Sequence, residues 1–307
     1  MHDAMSDAAS RLNAALEGRY AIERELGEGG MATVYLELPA NAYFMREPFL
    51  ALAADGSTIV VEAHIDGDNI LLQRPLDELA FTPIQGTENA FRPMMSPIGQ
   101  EVAFSRLSSS HRVQVSGGTV IDIGPRMGFG GDWGADDTIY YAPRYNSGLW
   151  RVSSIGGTPS QITAPDSLEP ELGHWWPQVL PDGEHLIFTS YRTPVDSARI
   201  MAVSLSTGDL TMVQEEAYFA RYSPTGHLLF VRGQALWAVE FDPVRLTTTG
   251  SPPIVIDGIA ADPTSGRASY ALVDNGIFVY AAAEDFYVPS QLVSIDRASN
   301  VETELPL

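Results

Sequence analysis

Four polar side chains, Arg92, Asp132, Gln178 and Arg221, are the residues of this chain best suited to hold a ligand. They offer two guanidinium groups, a carboxylate and an amide. That is chemistry for ion pairing and hydrogen bonding rather than nucleophilic attack. The means of catalysis are sparse. There is no Cys, hence no thiol nucleophile or structural Cys-zinc site. No G-x-S-x-G string is present, and the six His are scattered. Asp66, Asp68 and Asn69 in HIDGDNI have oxygen ligands for a cation, but the segment lacks the other ligands of a Ca²⁺ loop and reads as a hairpin turn. No metal and no cofactor is expected. His174, Trp175 and Trp176 form an aromatic cluster that suits either a binding patch or the filling of gaps between packed sheets.

The elements that must position these residues come from a repeat. Six segments pair an apolar strand, a tight turn and a second apolar strand: PFLALAADGSTIVV, FRPMMSPIGQEVAF, GGDWGADDTIYYAP, WPQVLPDGEHLIFT, ARYSPTGHLLFV and SYALVDNGIFVY. The turn falls at Gly56, Gly99, Asp137, Gly183, Gly226 and Gly276, at intervals of 43, 38, 46, 43 and 50 residues. Each copy continues with a third apolar strand, and most close with a fourth, more polar one, ending at VETELPL. Strand-like units with a period of roughly 40–45 residues indicate propeller blades, whose faces are buried by stacking around a ring. The expected fold is all-β: a six-bladed β-propeller with four-stranded blades, preceded by a short helix and an isolated β-hairpin. The Ala42–Pro48 stretch could add to the sixth sheet; otherwise apolar packing between blades closes the ring.

In a propeller the innermost strands line the central channel. Five residues before the turn stand Ala51, Met94, Asp132, Gln178, Arg221 and Ala271; one residue later stand Leu52, Met95, Trp133, Val179, Tyr222 and Leu272. Strand alternation puts the two sets on opposite faces. The second set is uniformly large and apolar and is expected between blades; the first is mixed, as a channel wall would be. Arg92, Asp132, Gln178 and Arg221 are the candidates for binding a protein or small ligand at the channel mouth, the alternative being a solvated channel with no ligand.

Composition excludes several classes of partner. The net charge is −21, from 39 acidic and 18 basic residues, and every basic residue is Arg. Such a surface repels nucleic-acid backbones and anionic lipids. No apolar run approaches the roughly 20 residues of a membrane span, and the N-terminus lacks the basic and apolar regions of a secretory signal. The expected location is cytoplasmic.

Residues 19–36, RYAIERELGEGGMATVYL, resemble the opening of a bacterial Hanks-type Ser/Thr protein kinase. Gly27, Gly29 and Ala32 match the glycine positions of its Gly-rich loop, with Gly30 between them and Val34 at the valine. The resemblance implies a loop whose backbone N–H groups would cover nucleotide phosphates. The rest of a kinase is missing: there is no strand Lys, and His111-Arg112 is followed by Val113 and Gln114. Asp132-Trp133-Gly134 lies inside the third repeat. Gly27, Gly29, Gly30 and Val34 therefore read as a vestigial nucleotide loop, without useful ATP binding or phosphoryl transfer. Residues 39–307 resemble the TolB-like propellers fused to such kinases, through SPIG at Ser96, SPTG at Ser223, LPDG at Leu180, GLWRVSSIGGTP at Gly148 and HWWPQVLPDGEHLIFTS at His174. The chain thus divides into a kinase remnant over 1–38 and a propeller over 39–307. Its expected role is that of a non-catalytic interaction or ligand-sensing module from a truncated receptor-type kinase. The alternatives are a residual ATP-binding protein kinase or an unrecognised propeller hydrolase.

Overall fold

The computed structural model describes residues 38–39, 41–44, 48–78, 80–273, 277–281, 283, 292–295 and 302–305. The expected lead-in helix, the expected Gly-rich hairpin with Gly27, Gly29, Gly30 and Val34, and the expected sixth turn at Gly276 lie outside the described residues.

The repeated turn is one structure used five times. The N–H of Gly56, Gly99, Asp137, Gly183 and Gly226 donates to the carbonyl three residues earlier, that of Ala53, Ser96, Gly134, Leu180 and Ser223, at 2.7–3.1 Å. All five residues have left-handed backbone, with φ between 60 and 80°. Glycine takes that conformation freely; Asp137 is the exception, and Asp is among the residues that tolerate it. Asp66-Gly67, φ 52 and 95°, makes a two-residue hairpin between Thr58–Ile65 and Asp68–Pro75, so HIDGDNI is a strand turn.

Five antiparallel sheets of at least four strands follow one another over residues 42–83, 91–125, 131–161, 171–215 and 218–257. In blades two, three and four the strands pair in sequence order; in blade five Ile254–Asp257 returns to pair with Ala235–Asp242. Each sheet buries its faces against its neighbours. Val60, Leu71 and Ile84 of blade one meet Val102, Phe104 and Val113 of blade two. Met94, Ala103 and Ile123 of blade two meet Trp133, Ile139 and Tyr141 of blade three. Blades four and five share a cluster with Ile187, Ile200, Leu228, Phe230 and Val239. Between blades three and four, Trp175 stacks on Phe129 at 4.5 Å and on Tyr191 at 4.0 Å. Trp175 and His174 are both buried, so these two fill the inter-blade gap.

The sixth repeat departs from the six-bladed, four-stranded expectation. It supplies two separate hairpins, Tyr270–Leu272 with Phe278–Tyr280 and Leu292–Ile295 with Glu302–Leu305. No pairing among the described residues joins them into a blade, so the fold has five blades. Its first two strands pair over three residues, as Gly131–Trp133 does in blade three, but no third strand pairs with Phe278–Tyr280 among the described residues. The long interval before the sixth turn contains an extra hairpin, Ala261–Asp262 with Arg267–Ala268. The Tyr270–Tyr280 hairpin still occupies the gap between blades five and one. Tyr270 belongs to the cluster holding Tyr218 and Phe219 of blade five, while Ala271, Val273, Ile277 and Val279 pack on Leu52, Ile59 and Val61 of blade one. Ala42–Phe44 does not join the sixth unit. It pairs with Ala63–Ile65 of blade one, on the edge that Leu50–Leu52 occupies further along.

Candidate functional site

The innermost strands of all six repeats converge on one cavity of about 170 Å³. Its wall includes Ala51, Met94, Asp132, Gln178, Arg221 and Ala271, the full set of positions five residues before the turns. Arg92 also lines it, so the four sequence-selected residues are brought together. The set expected between blades is only partly there. Trp133 is buried between blades two and three, but Leu52, Met95 and Leu272 also border the cavity.

A local backbone device aims several of these side chains. In blades two, four and five the inner strand bulges between Phe91 and Met94, between Trp175 and Gln178, and between Tyr218 and Arg221. Each bulge places one residue in left-handed backbone: Arg92 at φ 57°, Trp176 at 58° and Phe219 at 50°. In non-glycine residues this conformation costs about 1–3 kcal/mol and persists where the surroundings enforce it. Here each enforcing contact comes from the preceding blade. The N–H of Arg92 donates to Glu62 Oε2 at 3.2 Å, that of Trp176 to the Phe129 carbonyl at 3.0 Å, and that of Phe219 to Thr189 Oγ1 at 3.0 Å. Blade three places Gly130, φ 83°, at the same level; a Cβ there would overlap the indole of Trp176.

The bulges assemble an aromatic closure at one end of the cavity. Phe49 of blade one meets Trp176 of blade four at 5.6 Å, Trp176 meets Phe219 at 5.4 Å, and Phe219 meets Tyr270 at 5.4 Å. The extra hairpin lies against this end. Trp176 Nε1 donates to the Ser265 carbonyl at 2.8 Å, and the Tyr191 hydroxyl reaches the Pro263 and Thr264 carbonyls at 2.9 and 3.0 Å. Phe49, Phe219 and Tyr270 were not expected as wall residues, and Trp176 was expected either in a binding patch or in a gap between sheets; it lines the cavity. The aromatic residues two places before Ala51, Gln178 and Arg221 were the available signal.

Three of the four candidates, Asp132, Gln178 and Arg221, also join blades. Asp132 Oδ2 accepts the Val179 N–H at 2.8 Å, and Gln178 Oε1 accepts the Tyr222 N–H at 2.7 Å. Burial raises the Asp132 carboxyl above its ordinary range, against the opposing effects of the Val179 N–H and the Arg221 charge. Arg221 donates to the Ala220 carbonyl at 2.8 Å and the Trp176 carbonyl at 3.3 Å, and lies 4.5 Å from the Phe219 ring centre. Burial lowers its guanidinium pKa, with Tyr270 and Asp132 opposing. The Arg92 guanidinium is drawn down to about 10 by burial, against the pull of Glu62 and with a further push from Arg126 and Arg267. Burial raises Glu62.

A buried acid–His–Ser grouping stands outside the cavity wall. His174 lies 3.2 Å from Glu171 through Nε2 and 2.6 Å from Thr163 Oγ1 through Nδ1, and the Ser190 hydroxyl donates to Glu171. The serine therefore faces the carboxylate rather than the imidazole, and His174 is sealed from solvent. The Thr163 hydroxyl meets the imidazole instead, and with Thr163 and His174 both buried the grouping is an interior network.

No protein-family model and no curated protein matches this sequence. Solved structures do match. TolB from Acinetobacter baumannii aligns over 67% of this chain and 55% of its own, with TM-score 0.52 and 11% identity. A putative TolB from Agrobacterium tumefaciens aligns over 54% and 65%, with TM-score 0.46 and 17% identity. A chain of a nidogen/laminin complex aligns over 68% and 85%, with TM-score 0.50 and 11% identity. The chain spans less than two thirds of the length of either TolB structure. Among the described residues no helix is long and apolar enough to cross a membrane. At these identities the likeness concerns the fold: the chain is a β-propeller with TolB-like neighbours.

Proposed function

We propose that this protein is a non-catalytic propeller that binds a small polar ligand, or a side chain of a protein partner, in its central cavity. The observation that carries this reading is the convergence of Arg92, Asp132, Gln178 and Arg221 on one partly apolar cavity. Apolar walls with a few convergent polar groups are the usual make-up of ligand sites. The volume, about 170 Å³, is below the roughly 300 Å³ where drug-sized sites begin. The occupant is accordingly a compact molecule or a single inserted side chain. The resemblance of residues 19–36 to a kinase opening supports an origin in a receptor-type Ser/Thr kinase, with residues 1–38 its remnant and Gly27, Gly29, Gly30 and Val34 a vestigial loop. The absence of Lys from the sequence argues against the kinase alternative.

The test is a thermal-shift panel of small anionic, neutral and cationic compounds on the full chain and on Arg221→Met. A compound that raises the melting temperature of the full chain and not of the folded variant supports the reading. If no compound shifts it, or if Arg221→Met responds equally, the cavity is not a binding site. Incubation with Mg-ATP and general substrates should give no phosphorylation.

A further inference from the structure

Two arginines, Arg92 on the cavity wall and Arg126 on the same Phe91 ring, form no ion pair among the described residues, and this carries an inference that rests on the ligand-binding reading above. Arg92 sits in the inner-strand bulge of blade two. Arg126 lies just past Ile121–Pro125, the last strand of that blade. Their guanidinium carbons both lie 5.1 Å from the centre of one ring, that of Phe91. Arg92 is also 5.6 Å from the Phe49 ring, and Arg267 stands 5.0 Å from that same ring. Three cations are thus gathered around two phenyl rings.

Glu62 acts on the Arg92 charge from a distance without forming an ion pair with it. Glu62 receives the backbone N–H of Arg92, but no ion pair within 4.0 Å joins any acid to Arg92 or Arg126 among the described residues. Asp262 pairs in strand register with Arg267. The Nε–H groups of Arg92 and Arg126 are buried without an acceptor. Arg74, Arg112 and Arg192 also leave Nε unpaired, but each bonds a carbonyl or carboxylate through a terminal nitrogen. Arg92 and Arg126 make no such bond among the described residues. Guanidinium forks held on aromatic faces, with donors pointing at no protein acceptor, form a fixed receptor for a carboxylate or phosphate.

We propose that Arg92 and Arg126, with Arg267 adding field, bind the anionic head group, carboxylate or phosphate, of a small molecule beside Phe91 and Phe49, where Arg92 and Phe49 border the cavity. The rings of Phe91 and Phe49 present apolar surface to the rest of that molecule. The net charge of −21 repels long polyanions, so the site selects small anions that fit among these three side chains.

The test is calorimetric titration of the full chain with inorganic phosphate and with succinate, at ionic strength matched with chloride. Saturable binding of either probe, weakened about tenfold or more by Arg126→Gln and partly recovered by Arg126→Lys, is the expected result. Phosphate alone or succinate alone supports the site and names its head group. Glu62→Gln keeps an acceptor for the Arg92 N–H and should tighten binding several-fold, whereas Arg245→Gln, at an exposed ion pair, should leave it unchanged. Because Arg126 is partly exposed, circular dichroism of its variants checks that they stay folded. No saturable heat up to about 10 mM of either probe, or equal affinity in folded Arg126→Gln, overturns the proposal. If neutral compounds still stabilise the full chain in that case, the cavity reading stands and the anion assignment alone falls.

Discussion

Gly130→Ala should be the most damaging single-methyl change on the cavity wall, and Gly183→Ala provides its control. Both glycines have left-handed backbone, φ 83 and 67°. Alanine at Gly183 meets nothing within 4 Å, so it carries only the backbone penalty of about 1–2 kcal/mol. Alanine at Gly130 carries that penalty and also drives its Cβ into the Trp176 indole, reaching Cζ3 at 2.9 Å and Cα at 3.3 Å. Trp176 cannot easily yield. It is pinned by the Ser265 carbonyl, by Phe49 and by Phe219, and its backbone is bonded to Phe129. Overpacking of this kind costs about 1–3 kcal/mol more, for a total of about 2–5 kcal/mol. Urea unfolding of both variants measures the difference, and the double variant Gly130→Ala/Trp176→Phe should recover part of it as a positive coupling. Equal losses for Gly130→Ala and Gly183→Ala, or strict additivity in the double variant, would refute the packing of Trp176 against blade three.

Asp132→Asn retains an acceptor for the Val179 N–H and should change stability little, whereas Asp132→Leu leaves that donor unpaired and should cost about 1–3 kcal/mol in urea unfolding. Tyr270→Phe removes the hydroxyl that bonds the Phe219 carbonyl and reaches the Leu229 carbonyl at 3.3 Å; a loss of about 1–2 kcal/mol is expected if the sixth repeat docks on blade five as described. Burial alone would raise the Glu171 carboxyl, but hydrogen bonds from His174, Ser190 and the Asp166 N–H hold it down at about 2. Its folded pKa is thus below the ordinary 4.5, so its contribution is complete above pH 4.5 and is lost as pH falls toward 2. Allowing for solvent screening, Glu171→Gln should remove roughly 1–2 kcal/mol of that acid-dependent stability, read from melting temperatures across the same window.

The parts of this fold that were legible in the sequence are those set by local chemistry. The turn at Gly56, Gly99, Asp137, Gly183 and Gly226 needs a left-handed residue, and the sequence places Gly or Asp at each. Counting back five residues reaches the cavity wall in every repeat, because a strand fixes both spacing and face. The bulges at Arg92, Trp176 and Phe219 break that alternation, and they depend on acceptors at Glu62, Phe129 and Thr189 that lie 30 or more residues away in sequence. Such long-range partners leave no local mark. The same holds for Asp132 and Gln178, which resemble ligand groups in the sequence and also tie neighbouring blades together.

The sixth repeat shows the opposite failure. Its strands carry the repeat pattern, yet pattern does not report which strands join into one sheet. Three-residue strands at Tyr270–Leu272 and Phe278–Tyr280 make a wedge between blades, with no complete sheet among the described residues. The Ala261–Ala268 hairpin appeared in the sequence only as extra length before the last turn. In the fold it places Ser265 on Trp176 and Arg267 on Phe49.

The central claim, a small-ligand site walled by six inner strands in a five-bladed ring, is tested most directly by a crystal structure of the full chain grown with saturating phosphate or succinate. The expected result is one bound molecule beside Phe91 and Phe49, within hydrogen-bond distance of the Arg92 and Arg126 guanidinium groups and reaching the cavity wall at Arg92. A cavity that holds only water under those conditions, or a molecule bound on the outer face of a blade, would contradict it.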